Sequence, residues 1–205
     1  MKSACIQRTG ALVLGSLSAL FLLPAVASAH LVTTGMGPVY DGIGHLLLTP
    51  EDLVPVIALS LYCGMRGPRA GRYAMFLLPL AWLLGGLVGL KLDLDVAIPV
   101  PAISFLLLGG LIAADAKLPV QLIGPMTAVI GLLHGVLNGL VLKSGPGGPA
   151  LLGIMGALFV LVALLSAFVV SLERSWARIV VRVIGSWVAA SGMLMIGWYF
   201  RGQIS

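Results

Sequence analysis

The chain has 205 residues, of which 60% are hydrophobic and only 9% charged, with a mean hydropathy of +1.11 and a formal net charge of +5. That balance excludes an ordinary soluble domain. The basic residues stand singly between apolar runs, which excludes a nucleic-acid-binding footprint and leaves them as determinants of membrane topology.

The first stretch has the form of a targeting signal. Lys2 and Arg8 form a basic n-region, Ala11 to Leu23 an apolar core, and Ala27-Ser28-Ala29, after Pro24, an A-x-A cleavage site. Residues 1–29 are therefore expected to be a cleavable signal peptide, the alternative being an uncleaved first helix. Cleavage would leave His30 as the mature N-terminus. Cys5 lies in the signal and Cys63 stands alone, so the mature chain can form no internal disulfide.

Residues 30–49 carry four glycines before His45 as well as Pro38, which predicts an irregular or briefly helical segment at the interface or re-entering the bundle. Six apolar runs follow, at about 50–65, 73–90, 98–114, 119–142, 150–171 and 179–200, each a candidate span. The expected fold is an all-α integral membrane protein. It is a bundle of about six transmembrane helices after a signal peptide, forming a single domain over 30–205. Pro55, Pro79 and Pro125 fall within or near spans, where they can kink them. Glycines such as Gly85-Gly86, Gly109-Gly110 and Gly185 suit close helix packing.

The first, third and fifth linkers carry six Lys and Arg; the second and fourth linkers and the C-terminal tail carry three. The positive-inside rule places the odd linkers in the cytoplasm and the mature N-terminus outside. A bacterial inner membrane is the simplest location. On that topology Asp41, Glu51, Asp52, Asp93 and Asp95 lie on the outer side, and Asp115 and Glu173 on the inner. Such a mouth raises the local cation concentration, although outer loops also need polar residues of some kind.

Only three histidines occur: His30, His45 and His134. Asp41 precedes His45 by four residues and Asn138 follows His134 by four, so each pair can share one helical face. Polar side chains at membrane depth are costly and by default mark a site. His134 is eight residues from Leu142, about 12 Å from the outer end of its helix. Imidazole with carboxylate and amide oxygens, and no thiolate, suits a divalent transition metal held loosely enough to leave. The candidate ligands are His30, Asp41, His45, His134 and Asn138, with Tyr40, Glu51 and Asp52 as supports around them. Structural alternatives exist: His134 and Asn138 can bond neighbouring helices, Asp41 can form an Asx-turn before Gly42, and His45 can start a helix.

The run Ala29-His30-Leu-Val-Thr-Thr-Gly-Met-Gly-Pro-Val-Tyr-Asp41-Gly-Ile-Gly-His45-Leu-Leu-Leu-Thr-Pro-Glu-Asp52, with His134-Gly135-Val-Leu-Asn138-Gly139 in the fourth span, resembles the HupE/UreJ family. The family's usual His-Pro followed by Asp-His is altered here: no His-Pro occurs, and three residues separate Asp41 from His45, as in a divergent branch. The resemblance implies a small membrane protein associated with hydrogenase or urease maturation and regarded as a nickel or cobalt permease. The expected function is a secondary permease for Ni²⁺ or Co²⁺, in which Asp41, His45 and His134 bind the ion and His30 captures it. The alternative is a non-transporting accessory protein that binds metal or a partner. Expected partners are the metal ion, membrane lipid, maturation proteins and a second copy of the chain, with no tightly bound cofactor. An enzyme is disfavoured: there is no Walker motif, and Ala190-Ser191-Gly192 lacks the preceding glycine and follows every histidine, opposite to the rhomboid order.

Overall fold

A computed structural model describes residues 33–93, 98–145, 147–172 and 175–204. The expected signal peptide and His30 lie outside the described residues. Those described form seven helices and no strand: α1 (Pro38–Leu48), α2 (Pro50–Met65), α3 (Pro68–Gly89), α4 (Val100–Ala113), α5 (Val120–Leu142), α6 (Gly147–Val170) and α7 (Ser175–Ile204). Each of the six apolar runs holds one helix. By length and composition α3, α5, α6 and α7 can each cross a membrane, and α1 with α2 makes a fifth candidate, bent by 75° at the break. At 14 residues α4 is shorter than a full span.

The segment expected to be irregular or briefly helical holds one short helix, α1, of 11 residues. Pro38 stands at the first turn of α1, where a missing N–H costs nothing and a fixed φ favours the helix, so it starts the element and does not break it. Gly37, at φ 103°, lets the chain turn into that start. Gly42, within α1, faces the backbone of Ala150: a Cβ there would stand 2.0 Å from the Ala150 carbonyl oxygen. Gly42 thus serves contact with α6, while Gly35 and Gly37, at positive φ, shape the turn before α1. Pro55, Pro79 and Pro125 all sit inside continuous helices.

The tightest packing is between α3 and α5. A Cβ at Gly135 would lie 2.2 Å from the Trp82 carbonyl oxygen, one at Gly139 2.2 Å from that of Gly86, and one at Gly85 2.3 Å from that of Leu132. Contacts that climb both sequences together show the helices to be parallel. Without a hydrophobic force between spans, such backbone contact is what holds them. α6 packs across α1, α2 and α3, while α4 lies between α2 and α7. Trp82, Tyr62, Leu46, Leu59 and Leu108 fill the centre. α7 is outermost; its exposed Trp176 and Trp198 stand about 33 Å apart along the helix, matching two aromatic belts.

Charged groups gather at the ends. At one, Lys143 Nζ donates to Asp93 Oδ1 at 2.6 Å, and this hydrogen bond holds the Asp93 carboxyl below the usual carboxylate range. At the other, Arg66 pairs with Asp115, Arg178 lies 3.7 Å from the same carboxylate, and Arg182 Nε donates to the Ala113 carbonyl. Tyr62 Oη donates to the Ala116 carbonyl beside them.

Gly135→Leu should prevent the α3–α5 contact, costing about 3 kcal/mol or more, and leave little monodisperse protein on size exclusion in detergent. Gly110→Ala, where no atom lies within 4 Å of the added Cβ, should behave as wild type or melt slightly higher.

Candidate functional site

α2 begins at Pro50 after the break at Thr49, so Asp52 falls in its first turn. Helix starts leave N–H groups unpaired and carry partial positive charge, which favours a carboxylate. The side chain turns into the bundle and is only 5% exposed. There it meets two groups from α5. His134 Nδ1 lies 3.0 Å from Asp52 Oδ1, and Asn138 Nδ2 donates to Asp52 Oδ2 at 2.8 Å. The one-turn spacing of His134 and Asn138 is what lets both reach a single carboxylate.

The other imidazole nitrogen, Nε2, lies 3.0 Å from Ser104 Oγ on α4. The ring stacks on Trp82 of α3, with centroids 5.3 Å apart at 28°. His134 is 0% exposed. With Asp52 ionised, its oxygens can only accept, so Nδ1 carries the proton and Nε2 is the basic nitrogen that receives the Ser104 hydroxyl. A carboxylate behind a histidine in this way orients the ring and raises its basicity toward a metal at the far nitrogen.

Two buried polar atoms beside this network have no hydrogen-bond partner, Asn138 Oδ1 and Trp82 Nε1. Unpaired buried groups are uncommon, and the amide oxygen is an acceptor suited to a cation. His45, buried in the last turn of α1, lies within electrostatic reach of Asp52. Of these two imidazoles, only that of His134 is in hydrogen-bond contact with that carboxylate. Among the described residues, no three His, Cys, Asp or Glu side chains converge on one metal position.

Of the expected ligands, His134 and Asn138 are brought together and His45 is placed toward them. Asp41 shares the buried side of α1 with His45, yet its Oδ1 accepts from the Thr34 amide at 2.6 Å and the Thr34 hydroxyl at 2.7 Å. It ties the preceding segment to α1. His30 lies outside the described residues. Tyr40 and Glu51 are exposed. Asp52, read from sequence only as a support, is the centre of the network, and Ser104 and Trp82 were not singled out. An acidic residue opening a long apolar helix was the available signal for Asp52. A lone serine within an apolar run was the one for Ser104.

A family model described as HupE / UreJ protein matches residues 18–195, a range that contains His45, Asp52, Trp82, Ser104, His134 and Asn138. The HupE protein of Rhizobium leguminosarum bv. viciae is 24% identical over 183 residues, covering 85% of this chain and 92% of its own length. No solved structure gives a significant match.

Asp52→Ala would strand His134 Nδ1 and Asn138 Nδ2 in an apolar interior, an expected loss of about 3–5 kcal/mol. Ser104→Ala removes one neutral hydrogen bond, about 1 kcal/mol. Thermal unfolding in detergent should therefore rank Asp52→Ala well below Ser104→Ala, with the serine variant close to wild type.

Proposed function

Because the chain belongs to the HupE / UreJ family, we propose that it is a secondary permease for a divalent transition-metal ion, nickel or cobalt, with its binding site at His45, Asp52, His134 and Asn138. The observation that carries this proposal is the Asp52–His134 pair beside the unpaired Asn138 oxygen, in the interior of an apolar bundle. Ionisable groups at such depth are expensive and are kept where ions or protons pass.

The ion is the substrate. His134 Nε2 would take it when the Ser104 hydroxyl rotates aside. Asp52 would supply negative charge and Asn138 Oδ1 a neutral oxygen; His45 would add a second imidazole only once α1 moves closer, since the three ionisable groups do not converge on one metal position in this structure. Nitrogen and oxygen donors without thiolate favour binding strong enough to enter and weak enough to leave. The break at Thr49 supports the same function, since discontinuous helices are where transporters place ion sites. His30 and Asp41 would lie along the entrance. In this proposal the signal peptide of residues 1–29 is removed and the chain sits in a bacterial inner membrane with its N-terminus outside. Hydrogenase or urease maturation would draw on the delivered metal.

Purified protein in liposomes containing a metal-sensitive dye should admit Ni²⁺ or Co²⁺. Flux should fall about 10- to 100-fold in His134→Ala and in Asp52→Asn, the range typical when a ligand's support is lost. Metal binding without flux would favour an accessory protein that holds metal or a partner. Unchanged flux in both His45→Ala and His134→Ala would rule the site out.

A further inference from the structure

The glycine contact between α3 and α5 stops short of the ends where both helices begin. Above it the backbones touch, at Gly131 against Leu78 and at Gly135 against Trp82. Below it a Cβ on Gly124 would meet only Leu77 Cδ1, at 3.6 Å. The helices splay, and the gap is a cavity of about 660 Å³ whose walls include Arg69, Tyr73, Gln121 and Pro125. A second cavity of about 530 Å³ adjoins it, sharing Arg69, Tyr73 and Leu77 and adding Arg72 and Phe76. No carboxylate lines either one.

The arginines here differ from those nearby. Arg66 and Arg178 share Asp115, and Arg182 donates to a backbone carbonyl. Arg69 and Arg72 are exposed and, among the described residues, have no ion-pair partner. Both sit in the first turns of α3, a 22-residue helix long and apolar enough to cross a membrane, which would set them at one membrane–water interface. Tyr73, 51% exposed, is the amphipathic aromatic expected at that depth. From Arg72 a one-turn stripe of exposed apolar side chains, Phe76, Leu80 and Leu84, runs along α3 toward the bilayer centre.

We propose that this splayed gap is a binding site for an anionic phospholipid. Its phosphate is held between Arg69 and Arg72, with Gln121 and Tyr73 donating to headgroup oxygens, and one acyl chain lies along Phe76, Leu80 and Leu84. Two cations without an ion-pair partner among the described residues, beside a groove between two candidate spans, match both halves of such a molecule, and basic pockets between spans on one membrane face are where acidic lipids lodge. Inorganic phosphate shares the headgroup chemistry but would leave the apolar stripe unused. The site is remote from Asp52 and His134, and it stands whether or not the permease proposal does.

The test uses the full chain in a neutral detergent, with phosphatidylglycerol, phosphatidylcholine of the same acyl chains, and inorganic phosphate as separate additions. Phosphatidylglycerol well above its dissociation constant should raise the melting midpoint by about 5 °C or more, and native mass spectrometry should show it retained. Phosphatidylcholine and phosphate should do neither. The double variant Arg69→Gln/Arg72→Gln should lose the response. Gly124→Leu, which fills the gap and leaves both arginines in place, should weaken it and decides the matter if the double variant does not fold. Equal responses to the two lipids, an equal response to phosphate, or a full response in Gly124→Leu would overturn the proposal.

Discussion

A carboxylate inside an apolar bundle must be surrounded by donors, and the closing of this bundle around Asp52 governs what the neighbouring helices present. Removing its charge from water costs several kcal/mol, while each hydrogen bond to a charged group returns about 1.5–3 kcal/mol. Two donors, one from His134 and one from Asn138, bring the sum near balance and leave no large surplus. The network is therefore poorly accounted for as a stabilising device. An apolar trio of similar volume would hold the helices as well, which points to a use for the charge itself.

The glycines of α5 set where that charge is met. Gly131, Gly135 and Gly139 form one stripe, pressed on the α3 backbone. His134 and Asn138 form the adjacent stripe, each one residue and so about 100° behind its glycine neighbour. Because backbone-to-backbone contact tolerates little rotation, it fixes the azimuth of α5 and turns the polar stripe toward α2 and α4. Trp82 serves both parts of this design. Its carbonyl receives Gly135 and its ring covers the face of His134. Packing and polar geometry are thus coupled through neighbouring positions on the same two helices.

The helices were legible because hydropathy is a long-range signal: six apolar runs and their charged linkers locate α2 to α7 closely. The pairing of His134 with Asn138 was legible for a similar reason, since one-turn spacing survives in almost any packing. Asp52 was not. In Thr49-Pro50-Glu51-Asp52 an acidic residue looks like an ordinary helix start; Pro50 announces a break at Thr49, but no local pattern gives its 75° angle or turns Asp52 inward. α1 was legible only as a brief helix: its sequence does not announce that Pro38 starts it and that Gly42 lets it approach α6. Asp41 and His45 do share a face, but Thr34, seven residues before Asp41, claims the carboxylate.

The two ends of the bundle differ in a way that bears on movement of a cation. Around Asp52 the groups are imidazole, amide, hydroxyl and indole, with no Lys or Arg side chain hydrogen-bonded to it among the described residues. At the far end, three linkers meet where Arg66 and Arg178 share Asp115, with Arg66 Nε buried and unpaired. A cation leaving the Asp52 site in that direction would face two guanidinium groups sharing one carboxylate, a net positive barrier in a partly buried setting. In this structure that end is held shut by Arg66 after α2, Asp115 after α4 and Arg178 in the first turn of α7. The unpaired Arg66 nitrogen makes the closed arrangement less than fully satisfied. A buried donor without a partner costs about 1–3 kcal/mol, which lowers the energy needed to reach a state in which the linkers part and water reaches it.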